Sequence, residues 1–229
     1  SIELTNLPNL ISLDAFYCKT VSEAIFSNTP NLVALDLSYC PRLKTIQGEF
    51  PKIEYFSISH TNISQIPNLP SAKYVDISST KITDITAIQK FSKLQKLIIT
   101  ENKQIKTIEI GLLAQNPSFS SIIGNCHFFD FEGCPQNHQL KNIYIRGQIK
   151  NSTGINFSST NFCKYINDSR FAVENQVDRP LFSGDWYESY RYLYGPYPTP
   201  PNDYKRTITD EEIRSITGVY QHPSTVDPN

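Results

Sequence analysis

The sequence has no methionine, a single tryptophan, four histidines and only nine glycines in 229 residues. With so few glycines there is no Gly-rich loop to cradle a phosphate, and no glycine-framed Ser or Cys marks a nucleophile. His60, His127, His138 and His222 stand in no nucleophile–base pattern, so no catalytic residues and no enzymatic activity are expected. No apolar run approaches the roughly 18 residues that a membrane-spanning helix requires. Strong charge of either sign is also missing. The net charge is −1, with 14 basic and 12 acidic residues before position 151 and 7 and 10 after it. Bulk attraction to nucleic acid or to an anionic membrane is therefore excluded as the basis of function. From a start at Ser1 and the lack of any methionine, a removed initiator or a longer parent chain is expected.

What is present is a period. Leu32, Leu35 and Leu37 are followed by Cys40, in the stretch Asn31 to Thr45. The same spacing recurs as Leu10, Leu13, Ala15 and Cys18, then Ile53, Phe56, Ile58 and Thr61, then Ala72, Val75, Ile77 and Thr80. It continues as Leu94, Leu97, Ile99 and Asn102, then more weakly as Phe119, Ile122, Gly124 and His127, and finally as Leu140, Ile143, Ile145 and Gln148. Steps of 22, 21, 19, 22, 25 and 21 residues separate the first positions. Self-similarity at this period, with this pattern, marks a solenoid of stacked supersecondary units.

On these residues the chain resembles the leucine-rich repeat family over roughly residues 1 to 150. Lys81 to Thr100 (KITDITAIQKFSKLQKLIIT) resembles the repeats of bacterial internalins and of phosphatase-regulatory leucine-rich proteins. NLVALDLSYCPRLKTI resembles the cysteine-containing repeats of receptors and ubiquitin-ligase adaptors. The resemblance implies an α/β leucine-rich repeat solenoid: a curved parallel sheet of about six to seven coils, spanning 1–150. An irregular C-terminal cap and a Tyr/Pro-rich extension with a short helix occupy 151–229. It also implies that the residue eight after the first apolar position points inward and bonds backbone groups. Cys18 and Cys40 are on that reading buried, unpaired thiols. Leu35 and Leu97 are core residues. Between strands, Val21 to Phe26 and Ile108 to Ala114 are expected to make a helical turn each, whereas Pro67-Asn68-Leu69-Pro70 is not helical. Ala15, Ala72 and Gly124 are small at core positions, where bends or packing gaps are expected. Ser1 to Leu4 reads as the tail of a preceding repeat. An uncapped solenoid end exposes core, so more chain upstream or a partner is expected there.

Strand alternation places residues two, four and six after the first apolar position on the concave side. The candidate binding face drawn from these rows is Asp14, Phe16, Asp36, Tyr55, Tyr74, Asp76, Lys96, Tyr144 and Arg146. Carboxylates beside tyrosines suit a basic or hydroxyl-rich ligand. Cys126, His127, Cys134, His138 and Cys163 are the residue types that hold zinc, but their spacing matches no common finger, so neither metal nor cofactor is expected. A disulfide among Cys126, Cys134 and Cys163 would staple a cap and imply an oxidising compartment. Glycosylation sequons occur at Asn62, Asn151, Asn156 and Asn167.

Beyond residue 150, Ile155, Phe157 and Phe162 continue one irregular coil. Gly184 to Tyr204 then holds the only Trp, six Tyr and four Pro, at 196, 198, 200 and 201. Trp186, Tyr187, Tyr190, Tyr192, Tyr194 and Tyr197 are expected to dock. The chain before about 185 is expected to cap the last coils, and 186–204 to seat on a partner or a distant patch, such as Ile2 and Leu4 of a neighbouring copy. Pro198 to Pro201 offers a PxxP frame. Thr209 to Glu212 matches a capping box that opens a helix to about Thr217, ended by Gly218. The function these features imply is a non-enzymatic protein-binding or assembly module, extracellular or at the cell surface, or a fragment of one. Its partners are proteins or neighbouring copies, not nucleic acid. The alternatives are a cytoplasmic scaffold or adaptor and a regulatory repeat domain of a longer enzyme.

Overall fold

The structure, a computed structural model, describes residues 1–165. Its strands in chain order are β1 (Ile2–Thr5), β2 (Ser12–Asp14), β3 (Glu23–Ser27), β4 (Ala34–Asp36), β5 (Thr45–Gln47), β6 (Tyr55–Ser57) and β7 (Tyr74–Asp76). After them come β8 (Lys96–Ile99), β9 (Thr107–Glu109), β10 (Ser121–Asp130), β11 (Asn142–Lys150) and β12 (Asn161–Tyr165). A nine-stranded parallel sheet runs β2-β4-β6-β7-β8-β10-β11-β12, with β9 paired to the second half of β10. A smaller parallel sheet, β1-β3-β5, lies in the return stretches of the first coils. The fold is a parallel solenoid of leucine-rich repeat type with about seven turns and little helix.

The repeat spacing read from the sequence is the register of the sheet. Leu13, Leu35, Phe56, Val75, Leu97, Ile122 and Ile143 are Cα partners in succession. From Leu35 onward each is buried, Leu35 and Leu97 completely. One coil alone leaves this row in water; the next coil removes it, at roughly 25 cal/mol per Å² of apolar surface.

The returns differ from expectation in one place. Glu23 to Ser27, which overlaps the stretch Val21 to Phe26 expected to be a helical turn, is strand β3. Its burial alternates, with Ala24 and Phe26 inward, and it pairs with β1 and β5, which are extended on either side. Cross-strand partners at Ile2↔Ala24 and Ala24↔Ile46 outweigh any local helix preference. The second expected turn does contain a helix, Ile110–Leu113, following β9. A five-residue 3-10 helix, Thr86–Lys90, follows the ITDI stretch, and 67–70 is free of helix.

Gly124 leaves no gap. Phe129, wholly buried, lies over it, so that a Cβ there would meet the Phe129 ring at 3.2 Å and the Ile99 carbonyl oxygen at 3.2 Å. In this coil the strand does not stop after four residues. Asn125 pairs with Arg146 and Phe128 with Gln148, so Cys126 and His127 together oppose Gly147. Two residues facing one is a β-bulge. The inward position expected for His127 is consequently lost: His127 is exposed, while Cys126 is partly buried with its Sγ 2.9 Å from the Phe128 carbonyl oxygen.

Candidate functional site: the concave face

Two of the three rows expected on the concave side are in unbroken register. One row runs Ser12, Ala34, Tyr55, Tyr74, Lys96, Ser121 and Asn142, and the next Asp14, Asp36, Ser57, Asp76, Ile98, Ile123 and Tyr144. Neighbouring strands stand about 4.8 Å apart, so each row is a continuous ladder. Asp14, Asp36 and Asp76 each have a structural duty. Their Oδ1 atoms accept the backbone N–H two residues on, from Phe16 (3.0 Å), Ser38 (2.8 Å) and Ser78 (2.9 Å). This closes an Asx turn at the end of the strand. Ser38 and Ser57 share a hydroxyl–hydroxyl bond between adjacent coils.

The residue after the third row has a left-handed backbone in five successive coils: Tyr17, Tyr39, His60, Ser79 and Glu101. Such φ values disfavour side chains with a Cβ. Here the corner is held because Tyr17, Tyr39, His60 and Ser79 donate their N–H to Ser38, Ser59, Ser78 and Thr100 of the next coil at 2.7–2.9 Å. The turned-out side chains form an aromatic rim. Tyr39 stacks on His60 at 4.0 Å between centroids, Phe16 packs on Tyr39 at 5.2 Å, and Lys19 lies over the Tyr17 ring at 4.4 Å. Burial lowers the His60 pKa to about 4, with Glu101 opposing weakly, so this imidazole is neutral near pH 7. Tyr17, Tyr39 and His60 were not among the sequence candidates. Their signal was available: each directly precedes the inward Cys or Thr of its coil.

The inward row follows the family expectation. Asn102 Nδ2 donates to the Ile77 carbonyl and to Thr80 Oγ1, both at 2.9 Å. Thr61 and Thr80 donate to the carbonyls of Ile58 and Ile77. Cys40 is fully buried, its Sγ 3.3 Å from the Ala15 carbonyl oxygen, and burial pushes its thiol pKa up to about 12. Cys18 is only half-buried, against the expectation of full burial, because β2 is the terminal strand of the main sheet and its coil is packed from one side. Cys18, Cys40, Cys126 and Cys134 are all free thiols.

Of the remaining candidates, Arg146 is half-buried and Asp14 exposed. Asn62 is half-buried and donates to the Pro41 carbonyl at 2.6 Å, whereas Asn151 and Asn156 are exposed. Among the described residues no group of three His, Cys, Asp or Glu side chains is placed to hold a metal ion, and no helix is long and apolar enough to cross a membrane. His138 Nε2 lies 2.9 Å from the Asn156 carbonyl oxygen. Asn167, the aromatic set from Trp186 to Tyr197, the PxxP frame and the capping box lie outside the described residues.

No family model and no curated protein matches the chain. Among solved structures, the crystal structure of an internalin C2 from Listeria monocytogenes is similar at 20% sequence identity, over 67% of this chain and 69% of that one, with a TM-score of 0.48.

Proposed function

We propose that the chain is a non-enzymatic protein-binding or assembly module that presents its concave face to a polypeptide, and that it works extracellularly or at a cell surface. One observation carries the binding reading. Asp14, Asp36, Tyr55, Tyr74, Asp76, Lys96 and Tyr144 stand in unbroken ladders on the concave side of a single sheet. Aromatic side chains gathered among charged ones on one continuous face suit a polypeptide interface. Exposed sequon residues Asn151 and Asn156 support the extracellular setting. One observation favours a cytoplasmic scaffold instead: the four free thiols, which a reducing compartment preserves.

Panning a displayed peptide library on the full chain tests the binding reading. Peptides captured by the wild type are expected to be lost on an Asp14→Lys, Tyr74→Glu variant. Equal capture by both overturns the reading. Glycan mapping after passage through a secretory pathway tests the setting, with occupancy expected at Asn151 or Asn156 and none expected for a cytoplasmic protein.

A further inference from the structure

One flank of the solenoid concentrates positive charge. In the coils that begin at Leu10, Leu32, Ile53, Ala72 and Leu94, the chain passes the inward Cys, Thr or Asn and turns into its return through residues 19–22, 41–44, 62–65, 81–84 and 103–106. These segments hold six cations, Lys19, Arg42, Lys44, Lys81, Lys103 and Lys106, and a single carboxylate, Asp84. All six cations are exposed. Leu43, Ile63, Ile82 and Ile105 between them are buried, so the alternation turns the charged side chains outward.

The segments stack on one another. Lys44 donates its N–H to the Ser22 carbonyl, Asn62 to that of Leu43 and Lys81 to that of Ile63, at 2.8–2.9 Å. Lys81 and Lys103 directly follow Thr80 and Asn102, whose side chains are bonded to each other at 2.9 Å. The two lysines therefore stand on adjacent coils, one step of about 4.8 Å apart along the ladder. The carboxylates next to the flank are engaged elsewhere. Asp84 accepts the Thr86 N–H at 2.8 Å, Glu23 accepts from Gln47 Nε2 at 2.8 Å and Glu101 from Asn125 Nδ2 at 2.7 Å. Among the described residues the one ion pair is Lys73–Glu54 at 2.9 Å, on the opposite flank, where the chain enters the concave strands. Like charges on neighbouring strands repel, so a bound polyanion relieves a cost that the coils themselves leave in place.

The chemistry of the flank narrows the polyanion. A protein interface has an apolar or aromatic centre, and the apolar side chains from Leu43 to Ile105 in these segments face the core. Single-stranded nucleic acid is held by stacking on aromatic rings, and the five segments contain none. Exposed Thr20, Ser64, Thr83 and Gln104 offer neutral partners for sugar hydroxyls between the charges. Five of the six cations are lysines, whose ammonium is a compact point charge that accepts an anion in any orientation. Four ladder steps of about 4.8 Å carry the flank over roughly 19 Å, and six cations in that length call for a ligand of high charge density.

We propose that this flank binds a sulfated polysaccharide, as a second ligand surface beside the concave face. It stands on different residues from the proposed polypeptide-binding surface and does not depend on it.

Calorimetric titration of the full chain with heparin, at stepped salt concentrations, tests the proposal. Saturable binding is expected, weakening as salt rises because each contacted cation releases counterions, and desulfated heparin is expected not to bind. Lys81→Glu, Lys103→Glu should weaken binding about tenfold or more, whereas the same charge change on the opposite flank, Lys52→Glu, Lys93→Glu, should stay within about twofold of wild type. Lys81→Gln, Lys103→Gln repeats the comparison without added negative charge, should the Glu pair unfold the coils. Absence of heparin binding at low salt overturns the proposal, as do equal losses in the two pairs, which mean bulk charge alone. Tighter binding of polyglutamate or of a DNA duplex than of heparin also overturns it, in favour of an acidic polypeptide or a nucleic acid.

Discussion

The coils up to Ile99 and the coils from Ser121 onward turn the same corner by different means. In the first set the concave strands are three or four residues long. Each is followed two or three residues on by a left-handed residue, and Cys40, Thr61, Thr80 and Asn102 tie the bends of their coils to nearby carbonyls. In the second set β10 and β11 run for 10 and 9 residues straight through the bend. A bulge opposite Gly147 re-aims the strand, and its far half pairs with β9 on the return side. The lesson is that a solenoid corner can be fixed locally, by one side chain per coil, or collectively, by register between coils. The first kind repeats in sequence; the second does not.

Truncating the largest core group of each region compares them most directly. Phe129→Ala removes the ring that covers Gly124 and is expected to cost about 3–5 kcal/mol, and Leu35→Ala or Leu97→Ala about 2–5 kcal/mol, each read by denaturant unfolding. A loss below about 1 kcal/mol at Leu35 or Leu97 would contradict the register.

Glycines sharpen the contrast. A Cβ at Gly147 would lie 2.2 Å from the Cys126 carbonyl oxygen, which is backbone and has no rotamer to change. Gly147→Ala is expected to destabilise by about 1–3 kcal/mol. Gly124→Ala meets the Phe129 ring, so its cost should shrink in a Phe129→Ala background. A double-mutant cycle giving strict additivity would show that Phe129 does not fill that space.

In the regular coils the equivalent weak point is the inward amide. Asn102→Ala strips hydrogen bonds from the Ile77 carbonyl and Thr80 hydroxyl, both buried, and is expected to cost about 1–3 kcal/mol. The same change at His127, exposed beside the bulge, should be close to neutral in the same assay.

Two further effects concern titration and thiol reactivity. His60 in the folded chain has a pKa of about 4, below the 6.5 of the unfolded chain. Above pH 6.5 both states are neutral and its contribution is complete. As pH falls from 6.5 towards 4 only the unfolded state takes up the proton, so stability declines through that window. His60→Gln should flatten this slope in melts taken at successive pH values. Cys40, with its thiol pKa raised by burial to about 12, should react with thiol reagents more slowly than the half-buried Cys18.

How much was legible follows from the same contrast. The apolar row, the concave rows and the inward Cys, Thr and Asn were readable because each coil repeats them at one spacing. Strand β3 was not, because Val21 to Phe26 carries no periodicity strong enough to separate turn from strand. Its extended neighbours decided the matter. The bulge left only one mark, Gly147, and it does not say where the extra residue sits, because the step that contains the bulge, Phe119 to Leu140, has an ordinary length of 21 residues. Within the candidate face, Asp14, Asp36 and Asp76 were recognisable as concave residues. That one oxygen of each closes a turn of its own coil needed the structure.

By itself the sequence determined the solenoid, its register and the identity of the residues on each face, because stacking forces every coil to place equivalent side chains at equivalent positions. Only the tertiary structure decided which corners bend by a left-handed residue and which by a bulge, and that Asp14, Asp36 and Asp76 each close a turn of their own coil. The choice of corner depends on what lies against a residue from another coil or another part of the chain, and no local pattern encodes that neighbour.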